Sequence, residues 1–118
     1  SACSATARCA APMFRTPRPA TYLDALARDA RRMGVEDSIR LLSYPRPREF
    51  WRDTLYGTRR PVLYAVTPRF RTQAELVAAR HAAAEADIYE EAGHALFVDE
   101  AARFNASLDR FMRRARWA

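Results

Sequence analysis

His94 is the side chain in this sequence best suited to moving a proton near neutral pH. Imidazole titrates there, so it can accept a proton from a nucleophile and return it to a leaving group. It lies in the stretch Glu90-Glu91-Ala92-Gly93-His94-Ala95-Leu96-Phe97-Val98-Asp99, behind a short apolar run, Ala86-Asp87-Ile88-Tyr89. That run reads as a strand, Ala86 to Glu90, and the amphipathic segment Glu100 to Arg114 reads as a closing helix. A histidine just past the C-terminal end of a parallel strand stands where open α/β sheets place their ligands. Gly93 permits a sharp turn and a close backbone approach. A lone histidine is more often a packing or surface residue; it is this setting that singles out His94.

A base needs a nucleophile. The chain has three glycines, Gly34, Gly57 and Gly93, and none belongs to a Gly-x-Ser-x-Gly elbow. Outside the N-terminal tail the only serines are Ser38, Ser43 and Ser107, and none falls in a predicted strand-to-helix turn. Asp99 and Glu100 follow His94 too closely to be read as its acid partner; Asp99 reads as the cap of the last helix. Cys3 and Cys9 have a spacing that fits no common zinc pattern and read as two free thiols. His81, beside Arg80 on the polar side of a helix, is given no role. No metal or cofactor is expected.

The elements that would position His94 divide near Arg59-Arg60-Pro61. Before that point the pattern is helical. Two prolines stiffen Met13-Phe14-Arg15-Thr16-Pro17-Arg18-Pro19. A helix is expected from Ala20 to Met33, with Leu23, Leu26, Ala27, Ala30 and Met33 on one stripe and Gly34 as its stop. A second covers Glu36 to Ser43, with Ile39 and Leu42 facing inward, and Pro45-Arg46-Pro47 breaks it. A third, Arg48 to Tyr56, carries Phe50, Trp51, Leu55 and Tyr56. After the division, Pro61-Val62-Leu63-Tyr64-Ala65-Val66 reads as a strand buried on both faces. Thr72-Gln73-Ala74-Glu75 has capping-box spacing and opens a helix to Ala84. In the last helix Phe104, Leu108, Phe111 and Met112 make the buried stripe. The strand–helix–strand crossover predicts two parallel strands.

Arg60-Pro61-Val62-Leu63-Tyr64-Ala65-Val66 resembles the penultimate strand of an α/β-hydrolase. Ala92-Gly93-His94-Ala95-Leu96-Phe97-Val98-Asp99 resembles that family's His loop, and Ala102-Arg103-Phe104-Asn105 the start of its last helix. The helices before Pro61 resemble the cap, with Tyr44-Pro45 and Phe50-Trp51-Arg52 similar to cap segments of small esterase-like and haloperoxidase-like members. The resemblance implies a partial, truncated α/β-hydrolase fold in the α/β class, with a helical cap-like segment over 13–59 and a strand–helix–strand–helix part over 60–118; the Ser- and Ala-rich stretch before it reads from its composition as a disordered tail over 1–12. It implies acyl transfer to water in an intact relative, with His94 as the base and a small apolar ester as substrate. Phe50, Trp51 and Tyr56 would line the substrate pocket. The nucleophile is not in this chain. Neither is an acid after the penultimate strand, where the sequence reads Thr67-Pro68-Arg69-Phe70. The chain alone is therefore expected to be inactive.

Composition bounds the rivals. The 118 residues carry a net charge of +6, and all 20 basic residues are arginine. Arginine excess can mark a nucleic-acid partner, but here it is scattered among acids and no DNA- or RNA-binding motif is present. An Arg-rich nucleic-acid-binding domain or a helical interaction module is the alternative. No apolar run approaches the roughly 20 residues of a membrane span, and a cytoplasmic protein is expected. With no neighbour for the edge of the first strand, self-association through that edge is expected too.

Overall fold

Prolines and two short strand-forming runs set the layout. The computed structural model describes residues 13–43 and 45–115; the expectations for the tail over 1–12 with Cys3 and Cys9, and that for Tyr44, lie outside them. Pro19 and Pro47 stand at the N-caps of α1 (Ala20–Ala30) and α3 (Arg48–Gly57), where no backbone N–H is missed. Between them lies α2 (Val35–Leu42). Then follow β1 (Val62–Val66), a 3-10 turn (Pro68–Phe70), α4 (Arg71–Arg80), β2 (Ala84–Ile88), the one-turn helix α5 (Leu96–Asp99) and α6 (Ala101–Arg114).

The protein is α/β, with a two-stranded parallel sheet. Its register runs from Val62 opposite Ala84 to Val66 opposite Ile88. The Val62 N–H donates to the Ala83 carbonyl at 3.0 Å, and the Tyr89 N–H to the Val66 carbonyl at 2.8 Å. In a parallel ladder alternate residues bond the same neighbour. Val62, Tyr64 and Val66 therefore spend their backbone groups on β2, while Leu63 and Ala65 turn theirs toward the open edge. Among the described residues no third strand covers that edge.

Ala74 and Val77 of α4 are buried, and Tyr89, Ala92 and Leu96 form a cluster against which Ala65 and Phe104 pack. Side-chain bonds lock α6 onto β2. Arg103 donates to Asp87 at 2.7 Å and to the Ile88 carbonyl at 2.8 Å, and its guanidinium lies 4.1 Å from the centre of the Tyr89 ring. The Ser107 hydroxyl donates to Asp87 at 2.7 Å. Burial would raise the Asp87 carboxyl; the Ser107 hydroxyl and the Arg103 guanidinium outweigh it and hold the group below its ordinary range.

Several expectations are corrected. β1 is only half-buried apart from Val66, because among the described residues β2 is its sole strand neighbour. α1 stops at Ala30, and of its expected stripe only Ala27 is buried. Ile39 and Leu42 do not face inward: they are 60% and 75% exposed, and Val35 beside them is bare as well. The capping box does not form. The 3-10 turn, closed by the Phe70 N–H on the Thr67 carbonyl at 2.9 Å, leads straight into α4 and puts Thr72 inside the first turn. α4 then ends at Arg80, so β2 starts two residues earlier than expected. His81 is the reason. It is 4% exposed, not polar surface, and its Nδ1 accepts the Ala83 N–H at 3.2 Å, turning the chain into β2. On α6, Leu108 and Met112 stay exposed while Phe104 and Phe111 are half-buried.

Candidate functional site: the His94 loop

The loop between β2 and α5 is held from two sides. Tyr89, Ala92 and Leu96 sink into the core and pin its ends. From outside, the extended segment before α1 lies directly on Gly93. A Cβ on Gly93 would lie 2.7 Å from both the Arg15 nitrogen and the Met13 oxygen. Only glycine fits there, because the space belongs to another stretch of backbone. The Ala95 N–H donates to the Met13 carbonyl at 2.9 Å, so the segment grips the loop on both sides of His94.

Asp99 ties these parts together, and the expectation that it caps the last helix is corrected. It closes α5, and α6 has no side-chain cap. Its carboxylate turns back instead and accepts N–H bonds from Gly93 at 2.8 Å, Arg15 at 2.7 Å and Thr16 at 3.3 Å. The Arg18 guanidinium donates to it at 2.9 Å and to the Val98 carbonyl at 3.1 Å. The Asp99 side chain is 1% exposed. A buried carboxylate needs this many donors. Burial alone would raise its pKa; the N–H groups of Arg15 and Gly93, the Arg18 guanidinium and the Thr16 N–H hold it below the ordinary carboxylate range.

His94 itself is exposed. It borders a groove of about 320 Å³ with Tyr64, Ala65, Val66, Thr67, Phe70, Gln73 and Leu96. The groove runs beside the C-terminal end of β1. Its lining is mostly apolar and contains no carboxylate, so no acid partner for His94 comes from it. Tyr64 adds a polar point. Its oxygen accepts the Gln73 amide N–H at 2.8 Å. Burial, with Tyr56 adding to it, pushes the Tyr64 hydroxyl above its usual value. It thus keeps its proton at neutral pH and has it free to donate.

Trp51 and Tyr56 line a second groove of about 570 Å³ on α3 and α4, and Gln73 is a wall of both grooves. Phe50 is not in that lining; it stands edge-on to Trp51 with ring centres 5.2 Å apart. The described serines are all engaged elsewhere: Ser38 donates to the Gly34 carbonyl at the N-cap of α2, Ser43 to the Ile39 carbonyl within it, and Ser107 to Asp87. Among the described residues no group of three or more His, Cys, Asp or Glu could hold a metal ion. Tyr64, Gln73 and the anchoring roles of Arg15 and Arg18 were not singled out from the sequence. Only the proximity of Asp99 to His94 hinted at the anchor.

No family model matches this chain, and neither does any curated protein or solved structure. Among the described residues no helix is long and apolar enough to cross a membrane.

Proposed function

We propose that this chain supplies the helical cap and the closing βα units of an α/β-hydrolase-type acyl-transfer site, with His94 in the position of the base. The observation that carries the reading is the setting of His94. Its imidazole is exposed, on a loop beyond the C-terminal end of a parallel strand, beside an apolar groove. In such a site His94 accepts the proton of a serine hydroxyl as the serine attacks an acyl carbonyl. It then passes that proton to the leaving alcohol, and water resolves the acyl-enzyme by the same route in reverse. The apolar groove suits the acyl part of a small ester. Trp51 and Tyr56, across Gln73, would extend the pocket toward the cap.

No Gly-x-Ser-x-Gly elbow occurs in these 118 residues. The nucleophile has to be brought by a polypeptide that pairs with the open edge of β1. A covalent serine-hydrolase reagent and a small chromogenic ester test this directly. The chain alone should neither be labelled nor turn the ester over. Turnover by the chain alone that is lost in His94→Ala, or labelling of Ser38, Ser43 or Ser107, would overturn the claim that the nucleophile comes from elsewhere.

A second reading, a helical interaction module, is favoured by the bare apolar stripe Val35, Ile39 and Leu42 of α2. It predicts that Ile39→Glu abolishes association while His94→Ala leaves it unchanged.

A further inference from the structure

We propose that the end of the sheet opposite His94 binds a phosphomonoester. Thr58 and Arg59 lead into β1, and His81, Ala82 and Ala83 lead into β2. Together with Tyr56, Gly57 and Arg80 these residues line a pocket of about 390 Å³. It stands at the N-terminal ends of both strands, whereas His94 follows the C-terminal end of β2.

The chemistry of the lining is one-sided. No carboxylate contributes to it. Neither Arg59 nor Arg80 forms an ion pair with any described residue. The Arg80 guanidinium lies over the Tyr56 ring, 5.7 Å from its centre, which orients it without neutralising it. Thr58 Oγ1 accepts the Arg60 N–H at 3.2 Å, leaving its own proton to donate. The helices α3 and α4 end nearby, and each C-terminus contributes about half a negative charge. Two full guanidinium charges exceed that sum.

His81 forms part of the same lining. Its Nδ1 accepts the Ala83 N–H, so the neutral ring carries its proton on Nε2. That Nε2 is buried and has no partner. His81 lines the pocket, so an oxyanion seated there lies beside its ring and is reported by its signals. The pocket exceeds the size of a bare phosphate, so an organic group attached to it has room. Two guanidinium groups and a hydroxyl match the charge and the several acceptor oxygens of a phosphomonoester dianion.

The chain has two histidines, which makes the test clean. Inorganic phosphate is titrated into the full-length protein at constant ionic strength, with chloride as the balancing salt, while the imidazole carbon-bound proton signals are followed by NMR. The His81 signals should shift saturably and the His94 signals should not. Arg59→Ala with Arg80→Ala should weaken the response by about tenfold or more, since it removes two charge-assisted contacts. Both positions are exposed, and an unchanged amide spectrum verifies that the fold survives. Arg28→Ala with Arg32→Ala removes the same net charge from α1 and its C-terminal turn and should leave the affinity unchanged. A thermal midpoint that rises with phosphate in the wild type but not in the Arg59 and Arg80 double variant gives the same answer without NMR. No saturable His81 response, an equal response in that double variant, or equal weakening in the Arg28 and Arg32 control would overturn the proposal.

Discussion

The Asp99 carboxylate accepts the Gly93 N–H at 2.8 Å, one residue before His94. The same carboxylate holds Arg15, Thr16 and Arg18, so the segment before α1 and the His94 loop form one unit. The orientation of His94 therefore depends on residues about eighty positions away in the chain.

Removing this anchor should be costly. Asp99→Ala leaves three N–H groups and a guanidinium without their acceptor, and a loss of about 3 kcal/mol or more is expected. Asp99→Asn keeps the shape but not the charge, and should lose less. The pH dependence follows from the depressed pKa of Asp99 in the folded state. Its contribution is fully present above the unfolded value of about 4 and is lost as pH falls through the lower folded value. Urea denaturation at neutral pH and near pH 3 should show the gap between wild type and Asp99→Asn narrowing in acid. A gap independent of pH would contradict this account.

Gly93→Ala tests the close approach. The new methyl group meets two backbone atoms at 2.7 Å, neither of which can rotate away. A destabilisation of about 2–3 kcal/mol is expected, together with release of the Met13–Thr16 segment. Limited proteolysis should then cut before α1 in the variant and not in the wild type; equal resistance would argue against the contact.

The strong local signals were legible in the sequence. β1 is found at Val62–Val66 as read, because a proline and a β-branched run bound it. Pro45 and Pro47 separate two helices as expected. Burial was much less legible. The stripe through Ile39 and Leu42 has helical period, but periodicity says nothing about whether another surface meets it, and among the described residues none covers it. Asp99 shows the same limit at the site. Its position suits a helix cap, and nothing local reveals that Arg15 and Thr16 arrive to compete for it. His81 looked like a surface residue because a helix was extended through it, when it ends the helix instead.

His81 gives a third prediction. Its Nδ1 bond to the Ala83 N–H spans two residues, a geometry that an asparagine side chain reproduces. His81→Asn should retain stability within about 1 kcal/mol, while His81→Ala leaves the N–H unpaired above a cavity and should lose about 2 kcal/mol. Thermal or urea unfolding distinguishes them. Equal losses would mean that ring packing, not the turn bond, is what matters.

The open edge gives a fourth. Leu63 turns its N–H away from β2, so proline there removes no bond of the existing ladder while blocking a new strand. If the chain self-associates through β1, Leu63→Pro should shift it toward the monomer in analytical ultracentrifugation. The same change on a chain that is already monomeric, or an unchanged oligomer, would remove the edge from the account.

Complementation tests the central claim most directly. The chain is co-expressed with a nucleophile-bearing N-terminal half of a small α/β-hydrolase, ending before its penultimate strand, and hydrolysis of a short-chain chromogenic ester is followed. With wild-type sequence the pair should turn the ester over, and the His94→Ala chain should lower that rate by at least about a hundredfold, as expected for removal of a general base. Assembly of the two halves without turnover, or turnover unaffected by His94→Ala, would contradict the assignment of His94 as the base.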